Sequence, residues 1–167
     1  MSPLPFAAAG YSRPPLSLTR LHPSEAETIG TRLASMDPWK RLGYGAPTLT
    51  RYLASPDPGL NRFAAQEAAE TIGVICIRFP WLRGPYLELL AVFPVAQGRG
   101  AGRALLAWME EEARLASNNL WTVTSECNNR ARQFYQSAGF VEVAPLPDLV
   151  ASGYSEILLR KMLSPNS

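Results

Sequence analysis

Cysteine and histidine are scarce in this chain of 167 residues: Cys76, Cys127 and His22 are all it has. The two cysteines lie far apart and form no CxxC pair, and one histidine cannot build a zinc site. Neither a metal centre nor a disulfide framework is expected, and a reducing, cytoplasmic setting is the default. Strong charge of one sign is also missing. Sixteen basic residues against fourteen acidic ones give a net charge of +2, too mild to imply a nucleic-acid partner. No run approaches the roughly 18 continuous apolar residues of a membrane span, so no membrane partner is expected. The opening "MSPLPFAAAGYSRPP" has no early positive charge, and proline breaks its short apolar run. Residues 1–15 therefore read as a flexible lead-in and not as a signal peptide.

What remains is ordinary for a globular protein: 47% apolar and 18% charged residues. At about 150 residues per domain, the length suggests a single domain over 16–167. "LSLTRL" alternates as a first strand. "HPSEAETIGTRLASM" then opens with cap chemistry at His22, Pro23 and Ser24, and Ile29, Leu33 and Met36 recur at helical spacing. "TLTRYLAS" reads as a second short helix. "NRFAAQEA", "TIGVICIRF" and "PYLELLAVF" read as strands, the last two forming a hairpin across "PWLRG". A helix over Gly100–Ser117 aligns Ala101, Leu105, Trp108, Met109, Ala113 and Ala116 on one face. Strand "LWTVTS", helix "NNRARQFYQSAG" and strands "FVEVAPL" and "YSEILLRKML" complete a mixed α/β sheet carrying helices.

Between the hairpin and the long helix lies "VAQGRGAGRALL", with glycine at every second position (Gly98, Gly100, Gly102) and Arg99 and Arg103 close by. A strand, a glycine-rich turn and a helix N-terminus together make an anion cradle. The first helical amides lack internal partners, partial positive charge collects there, and glycine lets the backbone approach a ligand closely. A plain strand-to-helix turn could carry the same glycines. A Walker loop is excluded because no Lys-Ser/Thr follows. A dinucleotide fingerprint is excluded because Arg103 stands where its third glycine would be.

The pattern Gln97-Gly98-Arg99-Gly100-Ala101-Gly102 resembles the acyl-CoA loop of the GNAT superfamily of N-acetyltransferases. "CNNRARQFYQSAGF" resembles a second segment of that family, with Asn128, Ala131, Tyr135, Gly139 and Phe140 in place. The order of elements agrees from about Leu16 to Leu163. Within the superfamily the chain looks most similar to ribosomal-protein alanine N-acetyltransferases. The resemblance implies the GNAT fold, a mixed, mostly antiparallel sheet flanked by helices, and acetyl-CoA as cosubstrate.

It also implies residue roles. The pantetheine arm would pair with the backbone of Leu90, Ala91 and Val92. The pyrophosphate would sit on the loop amides, Gly98 through Arg103, with Gln97 also counted among the cofactor-binding residues. Asn128 would meet the cofactor near its thioester. Tyr135 would protonate the departing thiolate; read alone, it is equally a core aromatic. The glutamate that serves as base in alanine N-acetyltransferases, twelve residues before the tyrosine, is Val123 here. Glu88 takes its place as candidate base, because it shares a strand face with Leu90 and Val92; a solvated strand residue is the competing reading. His22 reads as a cap or surface residue, and Cys127 as a small residue without a nucleophilic role. Trp39, Lys40 and Tyr44 fall where the family shapes its acceptor pocket, and equally where a packed turn would put them.

The expected activity is acetyl transfer from acetyl-CoA to a primary amine by direct attack in a ternary complex. The acceptor, a peptide or a small-molecule amine, is left open, as is a homodimer. Two alternatives stand beside it. One is a catalytically inactive CoA-binding or regulatory module of the same fold. The other is a phosphate-ligand binding protein, which the Asn128–Phe140 segment argues against.

Overall fold

The structure is a computed structural model that describes residues 3–164. Among the described residues eight strands form one mixed sheet in the order β1-β2-β3-β4-β5-β6-β8-β7, accompanied by four α-helices. The residues divide into two compact units, Ala8–Ile77 with Leu89–Leu105, and Met1–Ala7 with Arg78–Glu88 and Leu106–Ser167. Strands β4 (Glu70–Trp81) and β5 (Gly84–Val92) and helix α3 (Ala101–Ala113) contribute to both.

In the first of these units, β1 (Gly10–Arg13) and β2 (Leu16–Arg20) pair antiparallel, and β2 pairs antiparallel with β3 (Leu60–Glu67). Helices α1 (Ala26–Ala34) and α2 (Ala46–Ala54) lie between them in the chain. Gly30 of α1 approaches the backbone of Thr50 so closely that a Cβ would lie 2.9 Å from Thr50 N, which is why the two helices can touch there. Ile29 and Leu33 of α1 and Leu49 and Leu53 of α2 are buried with Val74, Cys76, Leu89, Ala91 and Phe93. The Arg32 guanidinium lies 3.6 Å from the centre of the Phe93 ring and donates to Thr71 O, tying α1 to the end of β5.

In the other unit, β5 pairs parallel with β6 (Asn119–Ser125) at Tyr86↔Trp121 and Leu87↔Thr122. Strand β8 (Ser155–Met162) runs antiparallel to β6 on one side and to β7 (Val141–Pro147) on the other. Helix α4 (Asn129–Ser137) connects β6 to β7. Trp108, Met109 and Ala113 of α3 are fully buried, as the helical spacing predicts, whereas Ala116 lies beyond the helix end and is exposed.

The lead-in reading of residues 1–15 needs correction. Gly10–Arg13 is a strand, and Phe6 is fully buried. The Phe6 ring meets Trp108 edge-on at 5.8 Å, and its amide donates to Glu112 Oε2 at 2.9 Å. Burial of a whole aromatic ring outweighs the weak local strand propensity of "AAAGYSRPP".

Candidate functional site

The strand before the glycine loop alternates as its sequence predicts. Leu89 and Ala91 are buried, while Glu88, Leu90 and Val92 share the other, partly exposed face. The chain then makes a short 3-10 turn at Pro94–Ala96, and the Gln97 side-chain amide reaches back to donate to Val92 O at 2.8 Å. Gln97 therefore serves the loop itself, tying its start to the strand it left. Gly98 and Gly100 adopt φ of +77° and +83°, a region that non-glycine residues rarely enter. No atom would lie within 4 Å of a Cβ added at either. The loop's conformation, not crowding inside the protein, requires glycine there.

Gly102 differs, because it stands in the first turn of α3, behind Ala101. Ala104 N donates to Gly100 O at 3.0 Å, the first bond of that helix. The amides ahead of it are the ones a helix cannot satisfy internally. Of the two loop arginines, Arg99 is ion-paired to Glu67 at 3.2 Å, and Arg103 lies exposed on α3. The Glu67 pairing escaped the sequence reading because it links residues far apart in the chain.

Tyr135 and Glu88 belong together in the other unit, with Asn128. Asn128 is the N-cap of α4, its Oδ1 accepting from Ala131 N at 3.1 Å. The helix ends at Gly139, with φ +94°, where Phe140 N donates to Tyr135 O. This left-handed stop folds Phe140 back so that its ring packs edge-on against Tyr135 at 5.4 Å. The Asn, Gly and Phe of the motif thus hold the tyrosine in place. Tyr135 is 9% exposed, and burial pushes its hydroxyl up to about 12, with the neighbouring Thr122 hydroxyl a smaller opposing influence. Thr122 Oγ1 in turn donates to Leu87 O at 3.1 Å. A phenol raised in this way stays protonated beyond the usual tyrosine range.

Glu88 is tied to Arg78, whose Nε lies 2.7 Å and whose Nη2 lies 3.4 Å from its two carboxylate oxygens. Two groups absent from the sequence reading belong to the same unit. Burial first, then the charges of Glu88 and Glu156, pushes the Tyr86 hydroxyl up to about 12. Glu156 itself is 4% exposed and held above the usual carboxylate range by burial, while it accepts from Ser125 Oγ at 2.9 Å. "YSEILL" offered no local sign of this, because the burial depends on pairing with β6.

The family profile of acetyltransferases (GNAT) matches residues 26–140, well over half of the chain and both of the segments just described. The chain belongs to the GNAT family. Over 92 residues it is 33% identical to an aminoalkylphosphonate N-acetyltransferase from Salmonella typhimurium, covering 50% of this chain and 58% of that one. The chain thus spans little more than half the length of that curated relative. Among solved structures, a GNAT-family acetyltransferase from Desulfovibrio desulfuricans aligns at TM-score 0.74 and 24% identity, over 89% of this chain and 99% of the other. The ribosomal-protein-S18-alanine N-acetyltransferase of Escherichia coli aligns at TM-score 0.71 and 20% identity, over 91% and 96%. At these identities the two structures establish the GNAT fold.

The remaining candidates are quickly placed. His22 caps the 3-10 turn at Pro23–Glu25, its ring accepting from Ser24 N while Glu25 accepts from the His22 amide. Cys127 is exposed and Cys76 buried. Trp39 packs against the core of its own unit, and Tyr44 N donates to Trp39 O, as in a packed turn. Among the described residues no cluster of metal-ligating side chains occurs, and no helix is long and apolar enough to cross a membrane.

Proposed function

We propose that this GNAT protein transfers the acetyl group of acetyl-CoA to a primary amine by direct attack. The observation that carries the reading is the buried Tyr135 on the short helix that Asn128 caps and Gly139 ends. The backbone of Leu90, Ala91 and Val92 receives the pantetheine arm. The amides of Gly98, Arg99, Gly100, Ala101, Gly102 and Arg103 receive the pyrophosphate. The left-handed conformations of Gly98 and Gly100, with no protein atom close to either Cα hydrogen, fit such a ligand. Asn128 keeps α4 in register through its cap and meets the cofactor near its thioester.

In the reaction, the amine nitrogen attacks the thioester carbonyl carbon and the C–S bond breaks. Tyr135 gives its proton to the departing sulfur, for which a phenol is a competent acid. Glu88, oriented by Arg78, can hold a water that relays the proton from the amine. The acceptor is a small-molecule or peptide amine, and the setting is cytoplasmic.

A second reading, CoA binding without turnover, is favoured by Val123, where alanine N-acetyltransferases carry a glutamate. Calorimetric titration with acetyl-CoA, followed by thiol release over a panel of primary amines, separates the two. Binding with turnover supports the enzyme, binding without turnover on any amine supports the module, and absence of binding removes both.

A further inference from the structure

Directly opposed residues on antiparallel strands, and alternate residues along one strand, share a sheet face. Ser125 opposes Glu156, Val123 opposes Leu158, and Tyr86 stands beside Trp121 across the parallel pair. Tyr86 and Glu88 of β5, Trp121, Val123 and Ser125 of β6, and Glu156 of β8 therefore lie on one face. Burial first, then the charges of Glu88 and Glu156, raises the Tyr86 hydroxyl on this face. The ring of Trp81 packs on Tyr86 at 4.9 Å and on Trp121 at 5.7 Å, giving this face an apolar wall.

The two carboxylates are not equivalent. Arg78 neutralises Glu88. Glu156 is the more buried, and among the described residues no cation pairs with it; its side chain accepts from the Ser125 hydroxyl. Its other neighbours across the strands add no positive charge. Leu146 opposes it on β7, Ser125 opposes it on β6, and Glu126, just past Ser125, is exposed. A carboxylate buried without a cation is unfavourable for the fold alone. The arrangement makes sense where a ligand brings the cation.

We propose that Glu156, in place of the Glu88 water relay, receives the acceptor amine, pairing with its ammonium form and taking the proton that the nitrogen must lose before it attacks. This rests on the acetyltransferase reading above and deepens it. The ammonium gives one proton to Glu156, and the neutral nitrogen forms its bond to the acetyl carbon. The C–S bond breaks and Tyr135 protonates the sulfur. The second proton on nitrogen restores Tyr135, and Glu156 returns its own to water. A carboxyl group raised by burial suits this exchange better than an ordinary one.

The test measures kcat/KM from pH 6 to 10 for an amine that the wild type acetylates, with acetyl-CoA affinity and melting temperature alongside. Glu156→Gln is expected to keep acetyl-CoA affinity within about twofold and to lose about 10²-fold or more in kcat/KM. Its residual rate should rise only with the amine's own deprotonation. Ser125→Ala, which removes the hydrogen bond stabilising the charged carboxylate, is expected to move the ascending limb to higher pH without loss of fold. Near wild-type activity and an unchanged profile in both variants would overturn the proposal while leaving the acetyltransferase reading intact. So would a Glu156→Gln loss matched by lost acetyl-CoA affinity together with an unmoved limb in Ser125→Ala. A wild type that acetylates no amine overturns both.

Discussion

Thr122, its hydroxyl beside that of Tyr135, is 1% exposed and donates to the β5 backbone at Leu87 O at 3.1 Å. Burial pushes the Tyr135 hydroxyl up to about 12. The rate of acetyl transfer should therefore show no descending limb from Tyr135 below about pH 10, because the group is in its acidic form throughout. A pH–rate profile taken well past the amine's own titration checks this.

Thr122→Val removes the hydroxyl but keeps the shape. Tyr135 then loses its orienting partner while staying buried. We expect kcat to fall about tenfold or more with little change in acetyl-CoA affinity, since a positioned acid is worth about 10²–10⁴-fold when fully effective. Separate measurement of kcat and acetyl-CoA affinity distinguishes this from a folding defect.

The loop glycines should divide by conformation. Gly98→Ala and Gly100→Ala place a Cβ on left-handed backbone and should each cost about 1–2 kcal/mol locally, with weakened acetyl-CoA binding. Gly102 is helical, so Gly102→Ala should leave the melting temperature unchanged or raise it, by up to about 1 kcal/mol of helix propensity. If Gly102→Ala nevertheless weakens acetyl-CoA binding, that glycine is needed for ligand approach. Melting and calorimetry on the three variants read this directly.

Phe6→Ala should destabilise the fold by about 3–5 kcal/mol, as for other buried aromatic truncations. A flexible lead-in would show no change in chemical denaturation.

Stability should also depend on Glu156 in a defined direction. Its folded carboxyl is raised above the unfolded value. The native state then holds the proton more tightly, and its stability falls as pH rises from the ordinary carboxylate range through the raised value. Glu156→Gln removes that loss, so its melting temperature relative to wild type should be higher at pH 7.5 than at pH 4.5.

The glycine loop was readable from sequence because its demand is local: Gly98 and Gly100 must occupy backbone that other residues avoid. The Tyr135 segment was readable for a similar reason, since its cap at Asn128 and its stop at Gly139 lie within one short helix. What escaped was long-range. Phe6 packs on Trp108, Arg99 pairs with Glu67, and Glu156 acquires its burial from a strand register about thirty residues away. Glu88 was expected as a candidate base on its strand face, but the Arg78 side chain that binds its carboxylate lies across the hairpin, beyond local pattern.

The most direct measurement is thiol release from acetyl-CoA with a primary-amine panel, run side by side for the wild type and Tyr135→Phe. Amine-dependent release by the wild type, reduced about 10²-fold or more in Tyr135→Phe at unchanged acetyl-CoA affinity, is the predicted result. Equal rates in the two proteins would contradict the role of Tyr135 as the acid, and no amine-dependent release from a wild type that binds acetyl-CoA would contradict the activity itself.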